Sequence, residues 1–108
     1  ALYTGTVIGA GFASEMVGFI SYRYFFDNGP EIARTLDGGK TWARLELDIP
    51  EEYAQYNMQP QNPTFSGNDG NYPIILLDKD GNDRTMTLHT HDGGMTWIWP
   101  KLSAVDVS

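Results

Sequence analysis

Two short acidic stretches hold the residues whose types and spacing could do chemistry, RTLDGGKTW at 34–42 and HTHDGGMTW at 89–97. Each places an aspartate, Asp37 or Asp92, before a glycine pair and a tryptophan. A carboxylate in such a loop could serve as a general acid or base. Its role could equally be mechanical, because glycine accepts a positive φ in a tight turn and aspartate accepts hydrogen bonds from the turn's own N–H groups.

The two stretches repeat each other at an offset of 55 residues. Without a gap, this offset aligns six identical residues, namely Thr35, Asp37, Gly38, Gly39, Thr41 and Trp42 with Thr90, Asp92, Gly93, Gly94, Thr96 and Trp97. A threonine hydroxyl can bond back across a turn, and a tryptophan can cover the hairpin while its indole N–H finds a partner. The repeated pattern therefore favours two equivalent β-hairpin turns over two reactive sites.

Both stretches resemble the Asp-box pattern, Ser/Thr-x-Asp-x-Gly-x-Thr-Trp, of the bacterial neuraminidase (BNR) repeat family, whose sialidase-like domains are β-propellers. The resemblance implies that each box is a structural turn between the third and fourth strands of a blade, remote from any catalytic centre. The structural residues are then Thr35, Asp37, Gly39, Thr41 and Trp42 in the first box, and Thr90, Asp92, Gly94, Thr96 and Trp97 in the second. No catalytic residue, metal or cofactor is expected in this segment.

The boxes need strands on either side, and the composition of 13% aromatic residues and 12 glycines favours short strands and tight turns. We expect strands over 4–12, 16–25, 31–35 and 41–47 in a first unit, and over 63–66, 72–78, 84–90 and 96–102 in a second. The predicted fold class is all-β, with two four-stranded antiparallel propeller-type blades packed face to face. Such a pair is either a fragment of a longer β-propeller or a two-blade unit.

The chain of 108 residues is short for two independent domains. We expect a single domain over 1–108, made of two repeats of about 1–50 and 56–108. The segment 48–63 contains three prolines and is predicted to be a linker that holds at most one short helical turn near 51–56. The sequence begins at Ala1, which leaves a preceding leader or further domains open.

Two further polar patterns are similar to metal sites but lack ligands. The stretch DKDGND at 78–83 places Asp78, Asp80 and Asn82 at alternating positions like a calcium loop, yet it has no glycine at the sixth position and no glutamate at the twelfth. We expect a polar hairpin turn there. His89 and His91 alternate along a predicted strand and share a face, but no third ligand lies nearby in sequence, so two exposed imidazoles are favoured over a metal site.

Aromatic residues supply the remaining candidates for a binding site. Trp99 follows Trp97 by two residues, so both indoles should point the same way, and the equivalent position in the first unit is Arg44. Trp99 and Tyr22 are the residues that could stack on a ligand. The other large aromatics are expected to serve mainly as packing, namely Tyr24, Phe25, Phe26, Tyr53 and Tyr56.

The charge balance narrows the classes of partner. Fourteen acidic residues against seven basic ones give a net charge of −7 without any basic run, which argues against nucleic acid and against anionic membranes. No apolar run is long enough to span a membrane. The absence of cysteine excludes disulfides but does not fix the compartment.

The predicted function is a non-catalytic Asp-box module of an extracellular or cell-envelope bacterial protein, secreted and binding glycan or protein. An alternative is a fragment of a sialidase-like glycoside hydrolase whose catalytic residues lie outside this segment, because Tyr22-Arg23 is not followed by the Ile-Pro of the family's early motif. A purely structural scaffold is the third class. Large apolar residues on both faces of 16–26 further predict self-association through a sheet face, or packing against further blades of a longer chain.

Overall fold

The computed structural model describes residues 6–23 and 30–101. Within that part the chain forms two four-stranded antiparallel sheets and one short 3₁₀ helix, which confirms the all-β prediction. Several predicted features lie outside the described residues: the strand ends at 4–5, 24–25 and 102, and the aromatics Tyr24, Phe25 and Phe26. The described part contains no helix of the length and apolar character that a membrane span needs.

The first unit is a regular sheet in which each strand pairs with the next along the chain. Its strands are β1 (Thr6–Phe12), β2 (Gly18–Arg23), β3 (Glu31–Thr35) and β4 (Ala43–Arg44), in the spatial order β1-β2-β3-β4. Alternation along these strands gives two distinct faces. The register pairs Phe19 with Arg34 and Ser21 with Ile32, so these four residues share one face.

The second unit repeats this arrangement with an interrupted first strand. Its strands are β5 (Asn57–Pro60), β6 (Thr64–Ser66), β7 (Asp69–Leu77) and β8 (Asp83–Thr90). Because β8 pairs along one edge of β7, β5 and β6 both lie on the opposite edge. The position of β4 is taken by a single bridge between His89 and Ile98.

The segment 48–63, predicted as a linker, is only partly one. It holds the expected helical turn as a 3₁₀ helix over Glu51–Tyr53, but β5 occupies Asn57–Pro60 and belongs to the second sheet. Met58 and Pro60 are buried while Asn57 is exposed, which is the alternation of a strand. The prolines hide this strand in the sequence, because proline has no N–H to donate to a β-ladder. Pro60 is the last residue of β5, and the Gln61 amide that follows it donates to Pro73 O at 2.9 Å.

The fourth strands are shorter than the predicted spans of 41–47 and 96–102. The first is two residues long, Ala43–Arg44, and the second is the Ile98 bridge alone. After Arg44 the chain turns inward, since Leu45 is buried and Leu47 packs against the core. The Leu45 amide still donates to Ile32 O at 2.8 Å, so pairing with β3 continues for one residue beyond the two-residue strand.

The two sheets pack face to face around aromatic rings. Phe19 of β2 is fully buried, and its ring centroid lies 5.7 Å from that of Phe65, 5.9 Å from Tyr72 and 5.6 Å from Trp97 of the second unit. Beside these rings the Ser21 Oγ atom donates to Gln61 O at 2.6 Å and lies 2.5 Å from the Tyr72 hydroxyl. This contact joins the units in one core.

Glycines on β1 allow the second unit to approach closely. A Cβ atom at Gly9 would lie 2.5 Å from Gln61 O, and one at Gly11 would lie 2.5 Å from Pro63 O. The segment between β5 and β6 therefore rests directly on the backbone of β1. The Asn62 Oδ1 atom accepts from the Ala10 amide at 3.0 Å and fixes this contact.

Candidate functional site

The first box, residues 35–42, is a turn closed by its own side chains. The Asp37 Oδ1 atom accepts from the Thr35 hydroxyl at 2.7 Å and from the Thr41 amide at 2.9 Å, and its Oδ2 atom accepts from the Thr41 hydroxyl at 2.5 Å. The Thr35 Oγ1 atom in turn accepts from the Gly39 amide at 2.9 Å. The carboxylate thus ties the end of β3 to the start of the outgoing chain.

The second box, residues 90–97, has the same network. Asp92 accepts from the Thr90 hydroxyl at 2.7 Å, from the Thr96 amide at 2.9 Å and from the Thr96 hydroxyl at 2.6 Å. The glycine conformations also repeat, with φ of 97° at Gly39 and 93° at Gly94. A side chain at either position would be strained, so the pattern needs glycine there.

The tryptophans of the two boxes differ in what they contact. Trp42 Nε1 donates to Gly39 O at 3.1 Å, whereas Trp97 Nε1 is buried and has no hydrogen-bond partner among the described residues. The Phe19 ring of the first unit lies against the second box, where a Cβ atom at Gly94 would be 2.5 Å from its Cζ atom. The second box is therefore part of the contact between the units as well as a turn.

The hydrogen bonds hold both box carboxylates in their charged form. Donation by the Thr41 hydroxyl is the main cause that lowers the pKa of Asp37 to about 2, and donation by the Thr96 hydroxyl lowers the pKa of Asp92 in the same way. A general acid or base works best with a pKa near the working pH. These carboxylates are suited to anchoring a turn.

The lowered pKa values predict acid-sensitive stability. Because the unfolded chain takes up protons first, the boxes stabilise the fold fully above their ordinary pKa of 3.8, and this contribution is lost as the pH falls through about 2. Thermal melting of the wild type and of an Asp37→Ala/Asp92→Ala variant, followed from neutral pH downward, should show a difference that shrinks below pH 3.8. Parallel curves down to about pH 2 would contradict this role for the carboxylates.

The repeat extends beyond the boxes in a form that the sequence comparison missed. Phe12 lies over Gly18, which pairs with Thr35, and Phe65 lies over Gly70, which pairs with Thr90. An aromatic ring thus covers a cross-strand glycine next to the first threonine of each box. The glycines are 52 residues apart and the boxes 55, so a comparison without gaps could not align both.

A cleft of about 380 Å³ lies where the second box meets the first unit. We call this space the inter-unit cleft. It is lined on one side by β3 and the chain after β4, and on the other by the second box and the residues that follow it, including Arg34, Glu46, Asp48, Met95, Trp97 and Trp99. It is therefore a feature of the pair of units and not of either one.

Two arginines line the cleft in different states. Arg44 is bound to Glu31, whose side chain is only 3% exposed, through an Nη2 to Oε1 contact of 3.0 Å. Arg34 is half-buried and lies on the opposite face of the first sheet from Arg44. Its Nη1 atom donates to Met95 O at 3.4 Å. The Arg34 guanidinium is the more available of the two.

Of the two residues expected to stack on a ligand, Trp99 lines the inter-unit cleft and Tyr22 does not. Trp99 is half-buried and leans on Tyr53, with ring centroids 5.0 Å apart. Tyr53 is fully buried, and its hydroxyl donates to Pro100 O at 2.5 Å. Tyr22 is buried on the other face of β2, away from the second unit.

The other polar patterns form local structure. The Asp78 Oδ1 atom accepts from the amides of Asp80 and Asn82, each at 2.9 Å, and these bonds lower the pKa of Asp78. His89 Nδ1 lies 2.6 Å from Asn71 Oδ1, and His91 Nδ1 lies 2.9 Å from Asp69 Oδ1. Among the described residues no group of three His, Cys, Asp or Glu side chains is placed to hold a metal ion.

Comparison with known proteins places the chain in no family. No family model matches the sequence, and no curated protein matches it either. Among solved structures the chain is similar to YCF48 from Cyanidioschyzon merolae, with a TM-score of 0.45 and 16% sequence identity over 88% of this chain. The match covers 39% of that protein's own length. The propeller-like character of the fold is visible in its four-stranded antiparallel sheets, stacked face to face.

Proposed function

We propose that this chain is a non-catalytic module of Asp-box (BNR) repeats, part of a secreted bacterial protein of the extracellular space or cell envelope, that binds a glycan or a protein. The observation that carries this proposal is the saturation of both box carboxylates. Asp37 and Asp92 each accept three hydrogen bonds from their own turn. The residues most suited to chemistry by type are thereby used to build a scaffold.

A scaffold of stacked sheets offers binding surfaces between units and at its open faces. The inter-unit cleft is one such surface, since it combines tryptophan rings with polar side chains. The surface around the first box is another. Phe12, Met16 and Leu36 are each more than half exposed there, and the Phe12 ring meets that of Trp42 edge-on at 6.3 Å. Self-association, or packing of a further blade, would use this surface.

The location rests on the resemblance of the boxes to BNR repeats. The alternative of a sialidase-like hydrolase fragment shares these repeats, so an activity assay must separate the two. We expect the 108-residue chain to release no fluorophore from a fluorogenic sialoside, with an active sialidase as positive control. Turnover by the chain itself would contradict the non-catalytic proposal, as would the absence of binding to both a glycan array and extracellular protein fractions.

A further inference from the structure

We propose that the inter-unit cleft is a binding site for a neutral saccharide, with Trp99 as the ring on which the sugar stacks. This inference rests on the proposed binding function and names its ligand class and location. Arg34, Glu46 and Asp48 are the polar partners of the sugar hydroxyls. Shape, aromatic surface, hydrogen-bonding groups and charge each support this assignment.

The size of the cleft suits a small ligand. Its volume of about 380 Å³ lies within the range of about 300–1,000 Å³ that is usual for small-molecule sites. The walls come from two packed sheets, so the site is held open by the same core that joins the units. A mono- or disaccharide unit matches this space.

Trp99 provides a fixed aromatic surface. Its contact with the buried Tyr53 and the Tyr53 hydroxyl bond to Pro100 O hold the indole in place before any ligand arrives. The apolar C–H face of a pyranose ring packs on such a surface, and a rigid platform lowers the entropy lost on binding. The first unit has Arg44 at the equivalent position, so this platform is particular to the second unit.

The polar groups at the cleft match sugar hydroxyls. Arg34 makes one long hydrogen bond, to Met95 O at 3.4 Å, and a guanidinium carries five N–H donors. Glu46 and Asp48 are exposed and supply acceptor oxygens. A hydroxyl group both donates and accepts, so adjacent hydroxyls of a sugar can bond to the guanidinium and to a carboxylate at once.

The local charges select a neutral ligand. An acidic sugar would face the carboxylates of Glu46 and Asp48 in a chain of net charge −7, and a cationic ligand would face the Arg34 guanidinium. Arg44 is already neutralised by Glu31, so it adds no strong attraction for an anion. A ligand with hydroxyl groups, an apolar face and no net charge avoids both conflicts.

Titration of the full chain with single sugars tests the site. The probes are methyl pyranosides of glucose, galactose, mannose, fucose and N-acetylglucosamine, with methyl glucuronide as the acidic comparison. Each is followed through the NMR signals of the indole N–H groups of Trp42, Trp97 and Trp99. We expect at least one neutral glycoside to shift the Trp99 signal saturably, with a Kd of about 1 mM, and to leave that of Trp42 unmoved.

Two variants and a matched control locate the effect. Trp99→Arg, which installs the residue type of the first unit, and Arg34→Gln should each weaken binding by about tenfold or more. Arg84→Gln changes an arginine that lies over Tyr56 outside the cleft, and it should bind like the wild type. Amide NMR spectra of each variant show whether it is folded. If Trp99→Arg does not fold, Arg34→Gln alone tests the site.

Other outcomes overturn the inference in distinguishable ways. Stronger binding of the glucuronide would refute the neutral class. Sugar binding that survives both cleft variants would place the site elsewhere and leave the proposed module intact. No saturable shift with any of the glycosides, together with protein binding, would refute the saccharide site but not the module. The absence of both sugar binding and protein binding would refute the saccharide site and the proposed module.

Discussion

Replacement of Phe19 by alanine will lower the free energy of unfolding by about 3–5 kcal/mol, because a fully buried aromatic ring leaves a cavity between the two sheets. The ring contacts those of Phe65, Tyr72 and Trp97, so three packing partners lose a neighbour at once. For a chain of this size the loss is a large part of the total stability, which is about 5–15 kcal/mol for most proteins. Equilibrium denaturation in urea measures it.

Phe12→Ala is the matched control for this prediction. Phe12 also covers a neighbouring strand, at Gly18, but its side chain is 51% exposed, and among the described aromatic rings it meets that of Trp42. We expect a loss of about 1 kcal/mol or less, close to that of other surface changes. Equal losses for the two variants would mean that the units are not held together by the core around Phe19.

Alanine substitutions at the equivalent glycines of the two boxes should lower the stability of the fold by different amounts. Gly39→Ala and Gly94→Ala impose the same backbone strain, since their φ angles are 97° and 93°, and this strain costs about 1–3 kcal/mol. A Cβ at Gly39 would meet only Trp42, at 3.8 Å, whereas one at Gly94 would lie 2.5 Å from the Phe19 ring. Gly94→Ala should therefore cost about 1–3 kcal/mol more than Gly39→Ala.

The comparison of the two alanine variants isolates the contact between the units, because the turn itself is the same in both. Denaturation curves of the two proteins give the difference directly. If Gly39→Ala proved as harmful as Gly94→Ala, backbone strain alone would account for both, and the close approach of Phe19 would contribute nothing. A Phe19→Leu/Gly94→Ala double variant should lose less stability than the sum of the two single variants, since the smaller side chain leaves room for the added methyl group.

The boxes and the all-β class could be predicted from the sequence because their signals are local. A turn such as that of Asp37 is closed by residues within four positions of each other, so residue type and spacing contain most of the information. The same is true of the 3₁₀ turn at Glu51–Tyr53. The short length of the fourth strands is not predictable in this way, because exposed Arg44 and Glu46 still alternate with buried Leu45 beyond the residues that pair with β3.

Features that depend on the packing of the two sheets could not be predicted. β5 is assigned by its ladder with β7, and the three prolines of the segment 48–63 argue for a loop when the sequence is taken alone. The spacing from Trp97 points to Trp99, but Arg34 and Asp48 join it only because the sheets meet at that edge. The residue type alone makes Tyr22 a candidate, but the register of β2 places it on the face away from the second unit.

The contact of Phe19 with the second box makes the packing of the two units head-to-tail. The contact joins two unlike faces, so a further unit added by the same rule extends the stack and does not close it as a symmetric dimer would. In the second unit the position of Phe19 is held by Asn71, and the same face carries the polar Thr87 and His89 beside the partly exposed Ile75 and Leu77. The box of the first unit presents the rings of Phe12 and Trp42 at the position where, in the second unit, Phe65 and Trp97 contact Phe19. A further unit packed by the same rule would therefore place its aromatic side chain against the box of the first unit.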